Sequence, residues 1–274
     1  MDRRDQTKDS AILAIEVTKR FGITLAVDRL SLDVKIGEIF GLIGPNGAGK
    51  STLTKMLTTL LPFTSGSAFV AGYDVARQPK RVRALIGYVP QTLSADGALT
   101  GLENMMLSAG LYEIPRRQQA SRAAEMLAIM GLSDVARRLA GHYSGGMIRR
   151  LEIGQSLLHH PRVLFMDEPT VGLDPAARRS VWTHLLELRK SLQTTILITT
   201  HYLTEAEEYC NRVALIDRGR IAIVGTPLEL RAKAGAGKTL EEAFTSLVGS
   251  ETNRDDQTGY DQAGGGRRAV RQHG

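Results

Sequence analysis

The sequence predicts an α/β protein built on a mostly parallel β-sheet with helices on both faces. Short apolar strands alternate with helices in the last part of the chain, and this alternation is typical of parallel sheets, whose crossover connections are helices. The first 75 residues are instead rich in β-branched, partly alternating stretches, which favours an antiparallel β subdomain at the N-terminus. Between these regions, residues 92–160 have the texture of helices alone, and we expect an all-helical insertion there.

Strand and helix patterns divide the N-terminal region. Residues 11–21 and 29–44 are apolar and β-branched, and each stretch is predicted as strand. Residues 50–61 place leucines and a methionine at helical spacing, which predicts a helix. Residues 67–75 return to strand character. We therefore expect strands interrupted by one helix.

Capping signals mark the helices that follow. Thr100 and Glu103 form the T-x-x-E pattern of a capping box, which predicts a helix start. Residues 117–132 are rich in alanine and leucine with a glycine near the end, which predicts a second helix. Asp174 as cap with Pro175 at the first helical position predicts another. Three apolar strands are predicted after the insertion, at residues 162–169, 194–201 and 212–225.

The C-terminal part of the chain changes character. Thr239 and Glu242 repeat the capping-box pattern, and a single apolar stripe follows, so residues 236–249 are predicted as an amphipathic helix. Residues 250–274 are rich in Gly, Gln, Asp and Arg and cannot build a core, so we expect a disordered tail. The main domain is expected at residues 11–235.

Composition narrows the class of protein. The chain is 42% hydrophobic and 23% charged, as in ordinary globular proteins with a substantial core. No apolar run approaches the roughly 18 residues that span a bilayer, and the N-terminus lacks the apolar stretch of a signal peptide. We therefore expect a cytoplasmic protein. The net charge of +6 is spread over several helical stretches rather than one basic tract, so no nucleic-acid binding is expected.

A few conspicuous side chains favour structural interpretations. Cys210 is the only cysteine, which excludes an internal disulfide, and a buried structural thiol is expected. Trp182 is expected in the core. His159 and His160 are expected at a polar helix end.

A phosphate-binding loop gives the first functional signal. The pattern G-x-x-x-x-G-K-S runs from Gly44 to Ser51, directly after a predicted strand and before a predicted helix. Glycines let the backbone amides wrap phosphate, Lys50 supplies charge to the β- and γ-phosphates, and the Ser51 hydroxyl holds Mg²⁺. We therefore expect a P-loop NTPase core. A second Gly-Lys-Thr at 232–239 has Ala232 where the leading glycine belongs and no strand before it, so we expect a flexible joint there.

Polar residues end several apolar strands. Asp167 and Glu168 close the strand that begins at residue 162, where Asp167 can reach Mg²⁺ and Glu168 can polarise an attacking water. The alternative is an exposed acidic pair at a strand end. Gln91 and His201 also follow apolar strands, and Gln91 alone indicates nothing. A lone histidine at a strand end is usually structural, but the His201 strand is the next one in sequence after the Asp167 strand and its helix, so we expect it to end beside the phosphate.

A second anion site is predicted far along the chain. Ser144, Gly145 and Gly146 open a helix, where backbone amides and the positive end of the helix dipole favour an anion. The alternative is a plain helix-capping turn.

Together these motifs resemble those of the nucleotide-binding subunits of ATP-binding cassette (ABC) transporters. "GPNGAGKST" looks like the Walker A loop, "VLFMDEP" like Walker B, "VGLD" like the D-loop and "YSGGM" like the signature motif, with Met147 where Gln is usual. Gln91 and His201 look like the Q-loop and switch residues, and Phe21 stands where the family stacks an aromatic ring on adenine. The resemblance covers about residues 12–230. The residues that it assigns to ATP are Phe21, Gly44, Pro45, Asn46, Gly47, Ala48, Gly49, Lys50, Ser51, Thr52, Gln91, Ser144, Gly145, Gly146 and Asp174.

The resemblance also implies a mechanism and partners. Lys50, Glu168 and His201 would act in catalysis, and Ser51, Gln91 and Asp167 would hold Mg²⁺. Two cassettes would pair head to tail around two ATP molecules, so that the signature of one closes over the ATP of the other. The helical insertion would meet a multi-spanning permease subunit, which places the chain on the cytoplasmic face of the inner (plasma) membrane.

The ending "TLEEAFTSLVG" is similar to the tail of subunits of type-2 export systems, including the daunorubicin-resistance and nodulation-export kinds. This implies export of a drug, lipid or polysaccharide, although the sequence does not name the cargo. Alternatives are an importer-type cassette, or a soluble cassette ATPase acting on ribosomes or DNA. Soluble cassette ATPases of this kind contain two tandem cassettes or long coiled coils. This sequence contains neither a second complete P-loop nor a long heptad run.

Overall fold

Two β-sheets organise the chain in the computed structural model, which describes residues 9–235 and 239–242. The strands are β1 (Ser10–Phe21), β2 (Thr24–Lys35), β3 (Ile39–Ile43), β4 (Ser65–Val70), β5 (Tyr73–Asp74), β6 (Ile86–Val89), β7 (Val163–Asp167), β8 (Thr195–Thr200), β9 (Arg212–Asp217) and β10 (Arg220–Gly225). The α-helices are α1 (Lys50–Leu57), α2 (Pro79–Ala84), α3 (Gly101–Leu111), α4 (Arg116–Ile129), α5 (Gly145–Leu157), α6 (Pro175–Leu192), α7 (Leu203–Tyr209) and α8 (Pro227–Ala234). Two short 3₁₀ turns lie at Ser133–Val135 and Ala140–His142.

The larger sheet has the order β10-β9-β3-β8-β7-β6, and all neighbours are parallel except the edge hairpin β9–β10. The smaller sheet, β2-β1-β4-β5, is antiparallel throughout. This confirms the predicted fold class, a mostly parallel sheet with an antiparallel N-terminal β region. Residues 90–162, all of which are described, contain helices and turns between β6 and β7 but no strand, as expected for the insertion.

Apolar side chains cover both faces of the larger sheet. In β3, Ile39 and Ile43 face a cluster formed with the helices α3–α6, whereas Phe40 and Leu42 face a second cluster shared with α1 and the smaller sheet. Successive strand side chains point to opposite faces, so a strand covered on both sides is apolar at nearly every position. All five residues of β3 and of β7 are accordingly buried. Because β3, β6, β7 and β8 are parallel, their carboxyl ends lie along the same edge of the larger sheet, and the polar residues of the predicted site follow these ends.

The prediction of one strand over 29–44 was wrong. The segment forms β2 in the smaller sheet and β3 in the larger one. Gly37 lies between them with φ 74°, a left-handed conformation that glycine adopts without steric cost. The apolar pattern continues through the break because both strands are buried, so composition alone did not reveal it.

Two other predicted strands are hairpins. Residues 67–75 bend at Ala71 and Gly72, with φ 50° and 84°, and separate β4 from β5. Residues 212–225 bend at Arg218 and Gly219, with φ 45° and 80°, and separate β9 from β10. Two consecutive positive φ values are those of the tight turn that suits antiparallel strands.

Helix ends follow the predicted caps closely. Thr100 accepts from the Glu103 backbone N–H while the Glu103 carboxylate accepts from Thr100, which confirms the capping box of α3. Asp174 accepts from two backbone amides at the start of α6, with Pro175 at the first position. α1 is shorter than predicted, because the helix ends at Leu57 rather than at residue 61.

The structural side chains lie where expected, with one correction. Trp182 is 1% exposed and stacks on Tyr209 with ring centroids 4.3 Å apart. Cys210 is buried, and burial raises the pKa of its thiol to about 12. His159 and His160 follow the end of α5 at Leu157, as predicted, but only His160 is exposed: the His159 ring stacks on Tyr112 at 3.8 Å and bonds the Ile86 carbonyl at 2.9 Å.

The structure describes only residues 239–242 of the predicted C-terminal helix and tail. Thr239 accepts from the Glu242 N–H, and the Glu242 carboxylate accepts from Thr239, as the second capping box requires. Leu240 is fully buried in the helical cluster. Most of the predicted helix at 236–249, the tail at 250–274 and part of the 232–239 joint lie outside the described residues. Within the described residues, no helix has the length and apolarity needed to cross a membrane.

Candidate nucleotide-binding site

The phosphate loop occupies the turn between β3 and α1. Gly49 precedes the helix with φ 105°, and a Cβ atom there would lie 2.5 Å from the Ala26 carbonyl oxygen. A Cβ atom at Gly44 would collide with the carbonyl oxygen of Ile216. Both glycines are therefore required by close backbone approach. α1 begins directly at this loop, and the backbone amides of a helix N-terminus have no partner within the helix and favour an anion such as phosphate.

Lys50 is the first residue of α1, and its ammonium is held within the loop. Its Nζ donates to the Gly44 carbonyl at 2.7 Å and to the Pro45 carbonyl at 3.0 Å. The same atom lies 3.5 Å from Oε1 of Glu168. With only 5% of the residue exposed, this charge acts in a poorly hydrated place, where its attraction for phosphate oxygens is strong.

Asp167, the last residue of β7, is held by two hydroxyls. Its Oδ1 accepts from Ser51 Oγ at 3.0 Å and from Thr199 Oγ1 at 2.6 Å. Burial and the negative charge of Asp167 together raise the pKa of the Tyr88 phenol to about 12, so Tyr88 stays neutral at physiological pH. The Ser51 hydroxyl and the Asp167 carboxylate are hard oxygen donors, and Mg²⁺ binds proteins through few such groups plus phosphate. The residues present fit that metal.

Glu168 follows β7 in an unusual backbone conformation. Its φ is 48°, and its N–H donates to both the carbonyl and the hydroxyl oxygen of Thr199 at 3.0 Å. A left-handed backbone at a non-glycine residue is costly and is concentrated at functional sites. The carboxylate is 3.1 Å from Nδ1 of His201 through Oε2, while Oε1 faces Lys50. The side chain thus lies between two nitrogen groups that can bear positive charge.

His201 comes directly after β8, which pairs with β7 in parallel register with Thr199 opposite Asp167. The strand of His201 therefore ends beside the strand of Asp167 and Glu168, as its place in the sequence predicts. The His201 ring is tilted against Tyr202 at 4.3 Å, and the Arg178 guanidinium lies 4.0 Å over Tyr202. The contacts hold the imidazole at the site while leaving 39% of its side chain exposed to incoming groups.

An open cavity of about 320 Å³ collects several of the predicted residues. Its size is within the range of small-molecule sites. It is lined by Ala26, Asn46, Gly47, Gly49, Lys50, Ser51, Thr52, Gln91 and Glu168. The phosphate loop, the predicted Q-loop residue and the predicted catalytic carboxylate therefore share one cavity.

Other predicted site residues do not line this cavity. Ser144 caps α5 by accepting from the Met147 N–H at 3.3 Å. A Cβ atom at Gly146 would lie 2.8 Å from Cβ of Ala177, so this turn packs closely on the start of α6. Phe21 is 48% exposed near the β1–β2 turn, with the Lys19 ammonium 5.1 Å from its ring centroid.

Sequence reasoning missed three residues that shape the site. Thr199 bonds both strand-end acids, Ala26 lines the cavity, and Arg149 bonds the backbone beside Gln91. Thr199 could have been noticed because two threonines interrupt the apolar pattern just before His201. The other two carry no local signal.

A buried lysine in a glycine loop and an acidic strand end beside a histidine define a nucleoside triphosphatase of the P-loop class. Comparison with known proteins narrows this class. The model of the ABC transporter family matches residues 27–171. The chain belongs to the ABC transporter family.

Three similar proteins illustrate the relationship. The daunorubicin resistance ATP-binding protein DrrA2 of Streptomyces coeruleorubidus is 43% identical over 228 residues, which cover 83% of this chain and 70% of DrrA2. The probable multidrug ABC transporter ATP-binding protein YbhF of Escherichia coli is 40% identical over 88% of this chain, but the match spans only 42% of YbhF. A solved ATP-binding subunit of an ABC transporter superposes with a TM-score of 0.77 at 28% identity, covering 87% of this chain and all of that one.

Proposed function

We propose that the chain is the ATP-hydrolysing subunit of an exporter, working as a homodimer around two ATP molecules and Mg²⁺. The observation that carries this proposal is the separation of two anion sites within one protomer. Ser144, Gly145 and Gly146 begin α5 outside the cavity that contains Lys50. A helix N-terminus that favours an anion but does not line the nucleotide cavity of its own protomer can serve a nucleotide held in another copy.

The phosphate loop and Lys50 bind the triphosphate, and Asn46 and Thr52 line the same cavity. Ser51, Asp167 and Gln91 would hold Mg²⁺, which neutralises charge on the phosphates when it is bound. Phe21 would stack on the adenine from the β1–β2 turn. Asp174 would contact the partner's nucleotide through the turn that precedes α6.

In hydrolysis, the bond between the γ-phosphorus and the bridging oxygen breaks while a bond from water to that phosphorus forms. Glu168 orients the water and takes its proton, because its carboxylate is the acceptor beside the loop. Lys50 stabilises the negative charge on the phosphoryl oxygens, and His201 contacts the γ-phosphate from the end of β8. Thr199 keeps the two acids in register across the strand ends.

The signature turn caps the partner's nucleotide mainly through backbone groups. Met147 supplies no side-chain amide, so the Ser144 hydroxyl, the glycine amides and the helix dipole must provide the attraction. Binding of ATP then joins the protomers, and its hydrolysis removes the contact that joins them.

Export is supported by the names of similar proteins, one of which refers to daunorubicin resistance and another to a multidrug ABC transporter. The transport path would lie in a separate multi-spanning permease. The cargo would be a drug, lipid or polysaccharide. Residues 11–235 would form the ATPase domain, with the insertion at 92–160 facing the permease on the cytoplasmic side of the membrane. A neighbouring reading frame for a multi-spanning membrane protein would support export, whereas one for a periplasmic binding protein would favour import.

The dimer is tested with Glu168→Gln, which keeps the shape of the side chain but cannot accept the proton. Light scattering after size-exclusion chromatography should show monomers without nucleotide and dimers with Mg·ATP. Lys50→Ala is the control, and it should stay monomeric because phosphate binding is lost.

A crosslinking experiment tests the head-to-tail arrangement. Chains with Asn46→Cys and chains with Ser144→Cys, both in the Glu168→Gln background, are mixed with a short thiol crosslinker. Crosslinks should form only in the mixture and only with ATP, since the native Cys210 is buried. An ATP-saturated sample that remains monomeric, or that never joins these positions, would refute the proposed dimer.

A further inference from the structure

The segment that follows β6 is held by two charged side chains of α5. Arg149 and Glu152 lie one turn apart, and Nη1 of Arg149 is 2.9 Å from Oε2 of Glu152. The residues are 2% and 4% exposed. Charged side chains are rarely buried this fully unless they are paired and hydrogen-bonded. Both side chains also bond the backbone of residues 90–95.

The Arg149 guanidinium bonds two successive backbone carbonyls. Nη1 donates to Pro90 O at 2.7 Å and Nη2 donates to Gln91 O at 2.8 Å. The planar, forked guanidinium fixes direction as well as distance, which a single ammonium cannot do. The backbone of Gln91, whose residue lines the nucleotide cavity, is thereby attached to α5.

Glu152 holds the other end of the same segment. Its Oε1 accepts from the backbone N–H and the hydroxyl of Ser94 and from the Ala95 N–H, the last at 3.3 Å. The two side chains therefore bond residues 90–95 from both ends. An apolar pair of similar volume would pack the helix without touching these backbone groups.

The helix that makes these contacts is also the helix that begins with the signature turn. α5 has 13 residues, with Ser144 as its N-cap. The cap and Arg149 lie within two turns of one hydrogen-bonded helix, so they move together.

We propose that Arg149 and Glu152 are positioning residues that join Gln91 of one nucleotide site to Ser144–Gly146, which serve the other. This inference rests on the proposed ATP-bound dimer. It adds the chain of contacts through which binding of ATP beside Gln91 affects the signature turn that contacts the partner's ATP. A displacement of Gln91 on binding nucleotide and metal would therefore be passed to α5 through these bonds. The signature turn is then aligned for the partner only when its own protomer is loaded.

The test removes the link without leaving a buried unpaired charge. The double variant Arg149→Met with Glu152→Met is neutral at both positions and offers neither a donor nor an acceptor to residues 90–95. Arg150→Met is the matched control, because Arg150 is the next residue of α5 but bonds Met130 O and Gly131 O rather than segment 90–95. Arg149→Lys keeps the charge and loses the fork.

Two quantities are measured in the Glu168→Gln background: the Kd of the monomer for a fluorescent ATP analogue, and the ATP concentration that gives half-maximal dimerisation. We expect the double variant to keep the monomer Kd within about threefold, because the phosphate loop is unchanged. The dimerisation midpoint should rise at least about tenfold, because the signature turn is no longer held in position by the segment that contains Gln91. Arg150→Met should leave both within about threefold. Arg149→Lys should fall between the double variant and the parent, and full recovery with Lys would overturn the need for the fork.

Steady-state kinetics with Glu168 intact give a second readout. In the double variant kcat should fall at least about tenfold with KM little changed, and the Hill coefficient should move toward one. Deuterium exchange at the Ser94 and Ala95 amides should rise in the same variant. A parent that stays monomeric with ATP overturns the proposed dimer and this link with it. A parent that dimerises normally while the double variant matches it overturns the link alone.

Discussion

Thr199→Val removes one hydroxyl from the site while keeping the shape of the side chain. Thr199 is fully buried, and its Oγ1 donates to Asp167 at 2.6 Å and accepts from the Glu168 N–H at 3.0 Å. The Glu168 N–H also donates to the Thr199 carbonyl, so that amide keeps one partner in the variant. The main loss is the bond to the Asp167 carboxylate.

The magnitude follows from these contacts. A hydrogen bond to a charged group contributes about 1.5–3 kcal/mol and a neutral one about 1 kcal/mol. The buried methyl group that replaces the hydroxyl offsets about 0.8 kcal/mol of this loss. We therefore expect the free energy of unfolding to fall by about 2–3 kcal/mol, or roughly 4–12 °C in Tm for a domain of this size. Thr199→Ser, which keeps the hydroxyl and loses the methyl, should cost only about 1 kcal/mol.

The assay is urea unfolding followed by the fluorescence of Trp182, the single tryptophan, which is buried. The Val variant should show a lower midpoint than the Ser variant at an unchanged slope. Its kcat for ATP should fall at least roughly tenfold, because small misplacements of catalytic groups are costly. A Val variant as stable and active as the Ser variant would refute the assignment of Thr199 as the residue that holds both acids.

Three further predictions test separate parts of the fold. Gly110→Ala, in α3 with open space around the added Cβ, should raise the free energy of unfolding by about 0.5–1 kcal/mol, and a lower melting temperature would contradict this. Burial lowers the pKa of His159 in the folded protein below its usual value of 6.5. As the pH falls below 6.5, His159 is therefore protonated in the unfolded chain before it is protonated in the folded one. The free energy of unfolding consequently decreases as the pH falls from 6.5 toward the folded-state pKa. His159→Gln should therefore lose less stability than the parent between about pH 7.5 and pH 5.5 in urea titrations, and equal losses would exclude the assignment. Burial raises the pKa of Cys210 to about 12, so a disulfide reagent near pH 8 should label it only as fast as the chain unfolds, and rapid labelling of folded protein would show an exposed thiol.

Patterns carried by neighbouring residues were predicted well. The phosphate loop lies between β3 and α1, and the capping box at Thr100 and the cap at Asp174 start the expected helices. These features depend on sterics and hydrogen bonds within a few residues, which the sequence specifies directly. The meeting of Glu168 and His201 was also predicted, because adjacent parallel strands end at one edge of a sheet.

Features that depend on which sheet a strand joins were not predicted. The stretch 29–44 was expected as one strand, because burial on both sides gives the same apolar composition before and after Gly37. His159 does follow the end of α5, but the stacking of Tyr112, from a different helical segment, on its ring was not predicted. Neither result follows from composition or periodicity.

The amino-acid sequence by itself determined the chemistry: a phosphate loop, an acidic strand end, a glycine-rich helix start and the fold class that carries them. Only the tertiary structure decided their arrangement, with Thr199 bonded to both acids, Arg149 and Glu152 bonded to the backbone around Gln91, and the turn at Ser144 outside the cavity of its own protomer. The physical reason is range. Turns, caps and loops are set by contacts within a few residues, whereas these bonds join residues 31–58 positions apart in the sequence, and their meeting depends on the packing of whole layers.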